Sequence, residues 1–342
     1  MAAPENNEEI LPGSHWQQTP AVDNEPNDAD STYSAFSSSA SITSSILKFR
    51  KLHGRTFHHD IGDAQSWTPN DAKQSESMDL HHHLCTLLLG GKLFIAPIPK
   101  DVQSVLDIGT GNGIWAIDFA DLYPKAKVIG TDVSPIQPAW TPPNLSFEID
   151  DANQQPWAFK DKTFDFIHLR ALFGSIVDWD AFYREAFRCT KPGGWIEDHA
   201  NSVRFGSDDG SVKDDSPMGQ WTKVFWEGSK KFGRTFRVVE DDVQKKGLEA
   251  AGFVDVKVTD IKCPIGSWPE DEKSRELGLY SRLVAETDLE GYVLYMWNAV
   301  MGWPIEEIHA YLRHLRKQLS DPSVHAWYQH RVVVARRPLE GE

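Results

Sequence analysis

The run Val105-Leu106-Asp107-Ile108-Gly109-Thr110-Gly111-Asn112-Gly113 constrains this chain more than any other feature, because an apolar strand passes directly into three alternate glycines. An amphipathic pattern follows at once through Ile114, Trp115, Ile117, Phe119 and Leu122, and Pro124 forbids its continuation. Glycines at such a turn let the backbone reverse sharply and let a ligand approach main-chain atoms that a Cβ would block. The helix start beyond them offers free N–H groups and the positive end of a helix dipole. A strand, a bare turn and a helix in this order commit the chain to an α/β sheet whose ligand sits at the carboxyl ends of the strands.

The rest of the chain repeats that rhythm. Short apolar runs at 104–108, 127–131, 145–149, 164–169, 195–199, 254–258 and 330–335 read as strands, with helices expected at 71–89, 113–122 and 178–189. Helical insertions are expected at about 205–245 and 270–320 within a catalytic unit spanning 101–342. Residues 46–100 read as an N-terminal helical cap, and 1–45, polar and rich in Ser, Asn, Asp and Glu, as a disordered tail. A net charge of -15 opposes direct binding to nucleic acid or anionic lipid and leaves small molecules or proteins as partners. Cys85, Cys189 and Cys263 follow no disulfide or CxxC spacing, the first residues lack a signal-peptide pattern, and no apolar run approaches a membrane span. These features set an expectation of a soluble, intracellular protein, cytoplasmic and/or nuclear, with its oligomeric state left open.

Spacing separates the cofactors. A dinucleotide fingerprint needs GxGxxG, but the third glycine of that pattern would fall on Ile114, so the GxGxG found here weakens the nicotinamide oxidoreductase reading. Asp132, in Gly130-Thr131-Asp132-Val133-Ser134-Pro135, stands where an acid accepts from both ribose hydroxyls. In Asp150-Asp151-Ala152 an acid is placed to accept from an adenine amino group, beside a backbone N–H that can read a ring nitrogen. The turn Lys191-Pro192-Gly193-Gly194-Trp195 enters the fifth strand. Taken in order at successive strand ends, these elements point to an S-adenosylmethionine site formed by Asp107, Gly109, Gly111, Gly113, Asp132, Asp151 and Ala152.

The same residues resemble the class I methyltransferases, and more narrowly the LaeA-like methyltransferases of filamentous fungi. The resemblance extends over Met78-Asp79-Leu80-His81-His82-His83-Leu84, the glycine loop, Asp165-Phe166-Ile167-His168-Leu169-Arg170 and Met301-Gly302-Trp303, and is most specific at Ser134-Pro135-Ile136-Gln137-Pro138. It implies a Rossmann-like seven-stranded sheet with helices on both faces, its last strand antiparallel, and S-adenosylmethionine as methyl donor. It also implies a link to fungal secondary metabolism, either as a pathway enzyme that methylates a small metabolite or as a regulator acting through partner proteins or protein methylation. The chain departs from the pattern in carrying Phe57 and Trp67 where relatives often carry tyrosine.

Catalytic candidates cluster at the ends of the fourth and fifth strands: His168, Arg170 and His199, with Glu197 beside them. A histidine there can take a hydroxyl or amine proton, or can simply be a satisfied strand-end residue. His81-His82-His83 does not by itself make a metal site, because consecutive helical residues point about 100° apart and do not converge on one ion. Trp221, Trp226, Tyr292, Trp297 and Trp303 form either an aromatic lid over an apolar acceptor or part of the core.

Overall fold

A computed structural model describes residues 9–18, 49–59 and 65–342. Five strands, β3 (Ser104–Ile108), β4 (Lys127–Asp132), β5 (Leu145–Ile149), β6 (Phe164–Arg170) and β7 (Thr190–Asn201), pair in parallel. With β8 (Val254–Pro264) and β9 (Trp327–Arg336) they make a seven-stranded sheet of order β5-β4-β3-β6-β7-β9-β8. Strand β9 runs antiparallel to both its neighbours, so it alone opposes the sheet.

Alternation along the central strands divides the core between two faces. Val105 and Phe166 pack with Trp115 and Phe119 of α3 (Ile114–Leu122), while Leu106, Ile108, Ile167 and Leu169 join the larger core on the opposite side. Register places Asp107, His168 and Glu197 side by side on three adjacent strands, with Arg170 beside His199 one step further on. All five therefore share the α3 face. Helix α2 (Ala72–Leu88), capped by Asp71, lies over that row and brings His82 to Arg170.

Two N-terminal expectations are corrected. Gly13–Gln18 is a helix, α1, where the sequence suggested part of a disordered tail, because Trp16 buries its indole edge-on against Tyr311 of α9 (Ile305–Ser320). Local polarity misses a single large apolar side chain finding a distant partner. The remainder of 1–45 lies outside the described residues. The 46–100 segment is not purely helical either, since β1 (Arg50–Leu52) and β2 (Arg55–Phe57) form a hairpin around His53 and Gly54, both at positive φ. Arg55 bonds Asp71 (2.6 Å) and Asp288 (2.7 Å), the N-caps of α2 and α8 (Leu289–Leu294), and so ties this hairpin to both helices.

The first insertion condenses into α5 (Pro217–Phe232), and α6 (Val243–Ala251) follows before β8. The second comprises α7 (Glu272–Thr287), α8, a π-helical turn at Tyr295–Val300 and α9. Residues of both insertions face the carboxyl ends of the strands and close a cavity there.

Candidate active site

That cavity holds about 320 Å³ and runs from the glycine turn to the helical insertions. At one end, Gly109 and Gly111 adopt left-handed φ values of 66° and 59°, which expose bare main chain to the wall. A Cβ on Gly111 would stand 3.3 Å from the Met78 sulfur across the gap. Asp132 holds the turn in place, accepting from the Gly111 N–H at 2.8 Å through one oxygen and from the Ser134 N–H at 2.9 Å through the other. Burial raises its carboxyl to about 6, against the lowering effect of those two bonds. Each oxygen retains a lone pair, as a ribose diol requires.

Gln137 accounts for the most specific run of the sequence. Its amide donates to the carbonyls of Gly111 (2.6 Å) and Ser134 (2.9 Å), stitching the two cofactor turns together. Asp150, Asp151 and Ala152 line the adjoining wall, with the Asp151 carboxylate accepting from the backbone and side-chain amide of Asn153. Gly113 is set apart. It does not line the cavity but starts α3 at φ 86°, and a Cβ there would come within 2.3 Å of Phe147. Its assignment as a cofactor residue is corrected to a packing one.

At the centre, Asp107 accepts from Thr110 (2.6 Å) and pairs with His168 Nδ1 (2.7 Å), while Trp115 stacks flat on the imidazole at 3.6 Å. Burial lowers the His168 pKa and Asp107 works against that fall, so the neutral ring keeps its proton on Nδ1 and a lone pair on Nε2. Arg170 also reaches the wall. It donates to His82 Nδ1 (3.2 Å), so Nε2 of that ring holds the proton and donates to Asp118 (2.9 Å).

The other two strand-end candidates lie behind the wall. Glu197, raised to about 7 by burial, accepts from the Ile95 and Ala96 N–H groups and anchors the segment leaving α2. His199 is buried with its Nε2 3.0 Å from His330 Nδ1, which corrects its placement as a catalytic residue on the cavity.

Val203, Phe205, Trp221, Phe225, Leu289 and Tyr292 wall an apolar chamber of the same cavity. The aromatic set therefore splits. Trp221 and Tyr292 face the chamber, whereas Trp226, Trp297 and Trp303 pack away from it. Trp67 stands outside the site residues expected from the sequence. It lines the cavity and donates its indole N–H to the Phe173 carbonyl, a role visible only once the fold brings residue 67 to the end of β6.

A Rossmann-like sheet with one reversed strand, a glycine turn under a buried acid and an adenine-side acidic loop together define a class I, S-adenosylmethionine-dependent methyltransferase. The chain belongs to the methyltransferase-domain family, whose model matches residues 80–258, and within it to the LaeA-like group. It is 34% identical to methyltransferase pytC of Aspergillus terreus, over 88% of this chain and 92% of that one. The secondary metabolism regulator LAE1 of Cochliobolus heterostrophus is 31% identical over 80% of this chain and 90% of its own. The protein-methionine methyltransferase laeA of Emericella nidulans is 29% identical over 85% and 77% respectively.

Proposed function

We propose that this methyltransferase acts on an apolar small metabolite of fungal secondary metabolism, bound in the apolar chamber of the cavity. The carrying observation is that one cavity joins the glycine and Asp132 cradle to a chamber walled mainly by apolar side chains. Relatives named as methyltransferases, pytC of Aspergillus terreus among them, support methyl transfer as the reaction.

The cradle residues fit S-adenosylmethionine, which supplies a methyl group on a sulfonium already activated as a leaving group. Asp132 would accept from the ribose, Gly109 and Gly111 would admit the ligand to the main chain, and Asp151 with Ala152 would read the adenine. Trp67, Trp221 and Phe225 exclude water and fix the acceptor's position. Alignment of this kind supplies about 7–11 kcal/mol, so a dedicated base is needed only when the acceptor atom carries a proton. For such an acceptor, His168 Nε2 takes the proton, with Asp107 and Trp115 holding the ring. Arg170, which donates to His82 Nδ1, neutralises an acidic group or an ionised oxygen on the acceptor. The reading also places the protein inside the cell, where its donor is made.

Incubation of the purified protein with methyl-labelled S-adenosylmethionine and a fungal culture extract tests this. Label in the organic-soluble, low-mass fraction is the expected result. Label confined to protein would contradict it and favour the regulatory reading to which the laeA relatives belong.

A further inference from the structure

Behind the chamber, four nitrogen and sulfur side chains meet without a carboxylate among them. His81 and Cys85 stand one turn apart on α2, with His81 Nε2 3.6 Å from Cys85 Sγ. Below them lie His199 of β7 and His330 of β9. His199 pairs in register with Val332, two residues from His330, so both imidazoles rise from the same face toward the helix. The donors of Cys85, His199 and His330 fall within 4.8 Å of one another, all three buried. His81 stacks near His330, at 6.1 Å between ring centroids.

We propose that Cys85, His199 and His330 form a binding site for a single divalent ion of the zinc type, pinning α2 to strands β7 and β9. Tetrahedral zinc at its usual bond lengths sets its ligands apart by about 3.3 Å for two nitrogens and about 3.6 Å for nitrogen and sulfur. The donors of Cys85, His199 and His330, all within 4.8 Å of one another, approach those edges. Thiolate and imidazole without carboxylate suit zinc rather than magnesium or calcium. One further observation points to a ligand. His330 Nε2 is buried with no hydrogen-bond partner among the described residues, a costly state for an imidazole nitrogen. On binding, the Cys85 S–H bond breaks, sulfur bonds the ion, and the proton leaves to solvent.

The test uses the full-length purified protein. Elemental analysis after desalting is expected to find one zinc per chain. Removal of that zinc by a chelator and titration with cobalt is expected to give a thiolate-to-cobalt charge-transfer band and the strong visible bands of a tetrahedral site. Cys85→Ser abolishes the charge-transfer band, and both Cys85→Ser and His330→Gln weaken cobalt binding by at least about 100-fold. Cys189→Ser, which alters a buried thiol at the end of α4 (Trp179–Cys189), changes neither. Wild-type protein that holds no zinc and gives no charge-transfer band overturns the proposal without recourse to a variant. A folded Cys85→Ser protein with an unchanged cobalt spectrum overturns it equally.

Discussion

Asp132 illustrates how a single carboxylate fixes the geometry of a turn and, on the proposed reading, sets cofactor affinity. It is the acid that orders the Gly111 and Ser134 turns, and its pKa of about 6 means that it is ionised at neutral pH but not far below. The ribose hydroxyls need the ionised form as acceptor, so cofactor affinity is gained as pH rises through 6 and lost below it, by up to about tenfold per pH unit. Calorimetric titrations of S-adenosylhomocysteine between pH 5 and 8 check this, and a flat profile counts against the role given to Asp132. Gly109 and Gly113 look alike in the sequence but do different work. Gly113→Ala is expected to lower stability through its clash with Phe147, and Phe147→Leu in the same chain to restore part of the loss, leaving only the strain at φ 86°. Thermal melts of the single and double variants decide; no recovery would place the cost elsewhere. The placements of Asp132, Gly109 and Gly111 at one cavity wall were legible because strand, turn and acid follow one another in the chain. Those of Trp67 and Gln137 were not, since each acts on residues brought close by folding.

Among the elements, the sheet was the most legible, since continuous apolar runs between helices leave few alternatives for a parallel array. The β1–β2 hairpin and α1 escaped notice because each is held by long-range partners rather than by its own pattern. Arg55 joins the hairpin to the caps of two helices, and Asp288 is wholly buried beneath it. Arg55→Met strands that carboxylate, with an expected destabilisation of about 3–5 kcal/mol by chemical denaturation. A loss below about 1 kcal/mol would show the bridge to be dispensable. For α1, Trp16→Ala removes an indole packed on Tyr311 and is expected to cost about 3–5 kcal/mol, which melts of the full chain would detect.

At the scale of the whole molecule, the α/β frame supplies the cofactor cradle and the insertions supply the apolar end of the same cavity. The insertions were legible as helices, yet their sorting into chamber wall and core was not. Trp221 and Trp297 stand on the same footing in the sequence, and only packing sets Trp221 against the chamber and Trp297 in the interior. Enlarging the chamber with Trp221→Ala is therefore expected to change which acceptors are methylated while leaving cofactor affinity within a few-fold, as paired binding and activity assays would show. The account rests most heavily on the cradle being a working cofactor site. Its most direct test is calorimetric titration of S-adenosylhomocysteine into the wild-type protein and Asp132→Ala at neutral pH. The account predicts one site per chain with micromolar affinity, weakened about 100-fold or more in the variant, a loss of at least about 2.7 kcal/mol. No binding by the wild type, or the same affinity in Asp132→Ala, would contradict it.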